Sequence, residues 1–126
     1  MVVEELLSLA LEESQIEVYD RPIGVALLYQ DPDSGAEHYL IRYPEGLQAQ
    51  SHRHSAAHTI VVLEGALEVD GRRLAAGGYA HHHAQTVMHH APAPGHSCRF
   101  VLIFHGPFDV IACPDEDATA SGPGGT

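Results

Sequence analysis

From Ile16 onward the chain is written in short runs of apolar residues, many of them alternating with polar ones and most closed by a turn rich in glycine or proline. Alternation of period two puts every second side chain on one face of a strand. Residues 23–29 and 37–43 flank Asp31, Pro32, Asp33, Ser34 and Gly35, all turn formers, and predict a hairpin. Pro44 and Gly46 turn the chain into residues 47–54. Residues 59–63, then Gly65, then 66–69 lead to Asp70-Gly71, a strong two-residue hairpin signal. Gly77-Gly78 opens residues 79–83, and 86–89 return. A loop at 91–95 precedes residues 99–105, and 108–112 form a last short strand. Before all of these, Leu6, Leu7, Ala10 and Leu11 recur at helical spacing within residues 4–13 and predict a short amphipathic helix or arm.

Many short strands with frequent turns and almost no helix predict an all-β barrel or double-sheet jelly roll. A chain of 126 residues is long enough to bury one core. The boundaries read as an N-terminal arm over 1–20, a β-barrel over 21–113 and a polar, disordered tail over 114–126. Two strands are apolar on both faces: Ile60 and Val62 oppose Val61 and Leu63, and Phe100, Leu102 and Phe104 oppose Val101 and Ile103. In so small a barrel the outer set needs cover, so a second layer or a homodimer partner is expected.

Composition removes several classes of function. The formal net charge of -11 repels phosphate backbones and anionic lipid, so nucleic acid and membrane surfaces are poor partners. No apolar run is long enough to span a bilayer, and the N-terminus lacks the basic start of a signal peptide; a cytoplasmic protein is expected. Cys98 and Cys113 form no metal or redox spacing and read as reduced thiols, Cys98 in the core. There is no nucleophile elbow, phosphate-cradling loop or dinucleotide fingerprint.

The candidate chemistry lies in the histidines. Ten of the 11 fall between His52 and His105. Imidazole is the commonest ligand for borderline divalent metals, and a strand places His52 and His54 on one face. His58 and His89 enter from neighbouring strands, giving the candidate ligand set His52, His54, His58 and His89. Ligands of this type suit Fe(II), Zn, Ni, Mn(II) or Cu and do not suit Ca or Mg. An all-histidine shell leaves the ion near +2, where a carboxylate would leave about +1. Affinity for metal should therefore drop steeply as pH falls through about 6.5. His81, His82 and His83 form an internal triplet in which His81 and His83 share a face with Tyr79; it lines the barrel or forms an exposed polar strand. His38, His96 and His105 read as structural or solvent-facing, and Arg42 and Arg53 as surface charges.

Gly46, His52, His54 and Gly65, at these spacings, resemble the first motif of the cupin superfamily, with His58 standing where that motif has glutamate. The second motif has a glycine, a Pro-x-Gly turn and a last histidine. Here Gly77-Gly78 and a HHHAQT segment precede His89, which stands at the family spacing from Gly78, with His90 one residue on as the alternative. Residues 65–79 look like the hairpin between the motifs of small one-domain cupins, so the resemblance covers roughly 23–112.

The resemblance implies a double-stranded β-helix barrel around one divalent transition metal. Neutral three-histidine cupins include dioxygenases that cleave β-diketones and related enolisable or phenolic compounds, and this chain resembles that group. A small-molecule substrate would then lie in a pocket lined by Ile60, Val62, Phe100, Leu102 and Tyr79. The competing class is non-enzymatic: a structural or sensory metal, with four histidines saturating a tetrahedral ion.

Overall fold

A computed structural model describes residues 1–114, so the tail expected over 114–126 lies, Pro114 aside, outside the described residues. The apolar runs become strands β1 (Glu12–Ser14), β2 (Ile23–Gln30), β3 (Glu37–Tyr43), β4 (His52–Arg53), β5 (His58–Val69), β6 (Arg72–Ala75), β7 (Tyr79–His82), β8 (His90–Pro92), β9 (Cys98–Phe104) and β10 (Ile111–Ala112). All pairings are antiparallel. The order β1-β2-β3-β9-β5 forms the main sheet, β4 pairs with β10, and β6, β7 and β8 all join β5.

β5 is the strand that closes the barrel. Its first half, from His58, pairs with β7 and β9; its second half, from Ala66, pairs with β6 and β8. The bend between them comes from a register shift between Val62 and Glu64 and from Gly65, whose φ of +75° lies in the left-handed region. A Cβ there would overlap the Ser97 carbonyl oxygen, so only glycine fits. The sequence reading broke this strand at Gly65; the structure bends it instead. Asp70 and Gly71, at φ 49° and 82°, form the tight hairpin that their sequence indicates.

Alternation sorts the side chains as expected on the inner face. Cys98, Phe100, Leu102 and Phe104 are buried on β9, and Ile60 and Val62 join them from β5. A fully buried side chain of this kind contributes about 1.5–3 kcal/mol. On the outer face Val61, Leu63, Val101 and Ile103 are only half-buried. Part of the cover comes from the chain itself. Arg99 donates to the Leu7 carbonyl at 2.7 Å, and Leu11 packs against Gly24.

One expectation is narrowed and two change. Of the helix or arm expected over residues 4–13, the arm forms: a single 3-10 turn at Leu6–Ser8 gives way to β1, which pairs with the edge of β2. So short a segment gains little from helix formation, whereas the free sheet edge offers its backbone a full set of partners. Residues 86–89 are not a strand; Met88 makes an isolated bridge to His52, and the strand starts at His90. Tyr79 is 63% exposed and faces outward, so it does not line the interior.

Candidate metal centre

His52 on β4, His54 just beyond it and His90 on β8 meet inside the barrel, each almost fully buried. One ring nitrogen from each lies within 4.8 Å of those of the other two. Ring centroids are 5.0 Å apart for His52 and His54 and 5.2 Å apart for His52 and His90. A tetrahedral ion with metal–nitrogen bonds near 2.05 Å would hold imidazole centroids about 5.2 Å apart. The rings already stand at ligand spacing.

Hydrogen bonds on the opposite nitrogens fix which atom is presented. His52 Nδ1 donates to the Gln50 carbonyl at 2.9 Å, and His54 Nδ1 donates to the Asp109 carbonyl. A carbonyl only accepts, so both rings carry the proton on Nδ1 and a lone pair on Nε2, the tautomer a metal needs. His90 Nδ1 lies 2.7 Å from the Tyr43 hydroxyl, which in turn contacts the Tyr19 hydroxyl. With His90 Nδ1 donating, Tyr43 passes its own hydrogen to Tyr19. The Nε2 atoms of His54 and His90 are buried and have no hydrogen-bond partner among the described residues. Buried polar nitrogens are rarely left this way. The donor set fits a borderline divalent ion.

His89 does not join them. Its backbone N–H donates to Asp70 Oδ1 at 2.8 Å and its ring to the Ala49 carbonyl at 3.0 Å. Alternation explains this: Met88, His90 and Pro92 point inward and His89 and Ala91 point outward. His90, the alternative one residue on, therefore takes the position that sequence spacing gave to His89.

His58 is adjacent, its ring 4.7 Å from that of His54, but its Nε2 lies 3.0 Å from Met88 Sδ and its ring stacks on His82. The triplet is split. His82 is buried and donates to Asp70 at 3.1 Å, while His81 and His83 are exposed on the outer face. Arg53 binds Gln85 on the surface, and Arg42 does not reach the cavity described below.

Burial sets the protonation of the cluster. It holds His54 below its ordinary value, and it pushes His58 down to about 3, with His54 and His82 adding repulsion. His90 lies well below the usual range for the same reason, desolvation first and the other histidines after. Protons therefore compete for these nitrogens at lower pH than the unperturbed value of about 6.5 implies. Asp109 is held low by its hydrogen bonds from Ser55, which anchors the carbonyl that orients His54.

A cavity of about 210 Å³ opens beside the cluster, with His54 and His90 in its wall. Tyr19, Tyr39, Ile41, Leu102, Phe108 and Val110 supply half of the rest, and among the described residues no Asp, Glu, Lys or Arg lines it. Of the lining expected from sequence, Leu102 is present, while Ile60, Val62 and Phe100 belong to the core behind it. Tyr19, Tyr43 and Asp109 are the residues sequence reasoning missed. Tyr43 shares the inward alternation of Ile41, which was a usable signal; nothing in the sequence marks the other two.

The family model for the ChrR cupin-like domain matches residues 12–109. The chain belongs to that cupin family. Solved structures agree on the cupin barrel. The polyketide cyclase RemF of Streptomyces resistomycificus superposes with a TM-score of 0.72 at 16% identity, over 99% of this chain and 96% of that one. An acetylacetone dioxygenase from Acinetobacter johnsonii gives 0.68 at 19%, over 86% and 78%. The Rhodobacter sphaeroides complex of SigE with the anti-sigma ChrR gives 0.57 at 21%, over 65% of this cupin and 43% of the matched chain. At these identities the superpositions show a common fold alone. No curated protein sequence matches the chain.

Proposed function

We propose that this cupin binds one divalent transition metal through Nε2 of His52, His54 and His90 and acts as a metal-dependent dioxygenase on a small, neutral, enolisable or phenolic molecule. The observation that carries the reading is the placement of the three-histidine cluster against an apolar cavity that, among the described residues, has no charged side chain in its wall. A structural zinc site is closed by four protein ligands, whereas three ligands beside a cavity leave a position for substrate. The cavity volume of about 210 Å³ lies below the range for drug-sized ligands and suits a small diketone or single-ring phenol.

A divalent iron held by His52, His54 and His90 would supply Lewis-acid polarisation of a substrate oxygen and access to O2 chemistry. The protein supplies the setting. With no cationic side chain in the wall among the described residues, an enolate would find its positive charge at the centre, and a carboxylate or phosphate substrate would find no second partner there. Burial raises both the Tyr19 and Tyr43 hydroxyls far above their ordinary value, so they remain protonated donors. Once His90 Nδ1 donates to Tyr43, the Tyr19 hydrogen is left to point into the cavity, where it can meet a substrate oxygen. Phe108 and Tyr39, with ring centroids 6.0 Å apart, help to exclude water.

A second reading, a structural or sensory metal, draws support from the family itself and from the anti-sigma ChrR neighbour. It requires His58 to leave Met88 and close the shell. Anaerobic loading with Fe(II), then oxygen uptake over a panel of β-diketones and catechols, separates the two. Turnover supports the dioxygenase. No turnover with any metal, together with a melting temperature that collapses under chelator, supports the structural role. Exposed Leu27, Tyr29 and Tyr79 favour a homodimer through the outer sheet face; sedimentation as a monomer at working concentration would refute it.

A further inference from the structure

Two of the three histidines of the triplet lie on the opposite face of the sheet from the inner centre. His81 and His83 point outward from β7 and His105 follows β9, with β5 between them. Thr59 of β5 pairs with His81 on one side and Ile103 on the other. Its hydroxyl lies 2.9 Å from His81 Nδ1 and 2.9 Å from His105 Nε2. A hydroxyl has one hydrogen, so it donates to one ring and accepts from the other; two imidazole nitrogens on different strands are aimed at one point. Ring centroids are 5.6 Å apart for His81 and His83 and 5.7 Å apart for His81 and His105. That is about half an ångström wider than the spacing a tetrahedral ion imposes. The rings are exposed, so side-chain rotation can bring them together.

We propose that His81, His83 and His105 form a second, solvent-facing metal site, independent of the inner centre, for an ion of the zinc, nickel or copper class. The ion sits outward of Thr59, between the three rings, and His81 and His105 turn from the hydroxyl to face it. Imidazole nitrogens select borderline ions over calcium or magnesium, which take oxygen ligands. The acidic surface, with its net charge of -11, favours a cation there. The ion would tie β7 to the segment after β9, which carries Phe108 of the cavity and Asp109, the partner of His54.

Zinc titration of the intact chain by calorimetry, with metal content measured after gel filtration, tests this. Wild type is expected to bind two equivalents per chain. His105→Ala lowers affinity for the weaker equivalent more than about tenfold, a loss at the low end of what removing an outer-shell partner causes. The triple alanine variant at 81, 83 and 105 abolishes that equivalent and keeps the tighter one. His52→Ala loses the tighter one and keeps the weaker. Thr59→Val, which preserves shape and removes the hydroxyl, retains the weaker equivalent. A single equivalent in wild type, or a second that survives the triple substitution, overturns the proposal. Unchanged apo melting temperature in the triple variant excludes misfolding as the cause of a loss.

Discussion

Tyr43 carries one oxygen on which the proposed centre depends. Tyr43→Phe keeps the ring, which packs edge-on against Phe100 at 4.9 Å and stacks on His90 at 5.7 Å, so little packing is lost. What goes is the 2.7 Å partner of His90 Nδ1, in a region with no access to water. An unsatisfied buried donor costs about 1–3 kcal/mol, and the apo protein should lose roughly that in urea unfolding. The same oxygen holds His90 in the tautomer that presents Nε2, and losing an outer-shell partner of a ligand typically weakens metal binding about 10–100-fold. Tyr19→Phe is the control, since it removes only the far end of the chain of hydroxyls, beside the cavity. Its expected cost is about 0.5–1.5 kcal/mol, with zinc affinity hardly changed. Urea unfolding of wild type and the two variants reads the first effect, and calorimetric zinc titration of these proteins and of His90→Ala reads the second. If Tyr43→Phe binds zinc as tightly as wild type while His90→Ala does not, the tautomer argument is wrong.

Acid should destabilise the apo protein early. The unfolded chain takes up protons near pH 6.5, whereas burial keeps His54, His58 and His90 neutral to lower pH, His58 to about 3. Stability is complete above about 6.5 and falls below it, by about 1.4 kcal/mol per pH unit for each such histidine. Urea midpoints that stay flat between pH 7 and 5 would contradict this. His58→Glu should tighten zinc binding about tenfold or more, because a unit charge about 5 Å away at an effective dielectric near 20 gains roughly 3 kcal/mol, part of it offset by burial. Equal zinc affinity for the two proteins would show that His58 lies too far from the ion to act on it. Gly65→Ala should cost about 3 kcal/mol or more, since the methyl group meets the Ser97 carbonyl in a left-handed backbone. A soluble variant with wild-type unfolding would contradict the bend in β5.

The barrel was legible because alternation and turn residues are local: β3 and the hairpin at Asp70 and Gly71 follow directly from their residues. The pair His52 and His54 was legible for the same reason, two residues apart on one extended segment. The choice between His89 and His90 was not legible, because the loop before them lacks the usual Pro-x-Gly turn. Here Gln85 takes the left-handed conformation, φ 66°, and Asp70 captures the His89 N–H. Both are three-dimensional facts. Alternation with Met88 was the overlooked local clue, since a buried methionine puts His90 on its own face. Tyr19 and Asp109 reach the site through long-range closure of the arm and of β10 against β4, for which the sequence has no periodic signal.

The central claim is that His90, with His52 and His54, completes the metal centre. Zinc titration of His89→Ala beside His90→Ala tests it most directly. His89→Ala should keep the tighter zinc equivalent and His90→Ala should lose it; the reverse pattern would contradict the site.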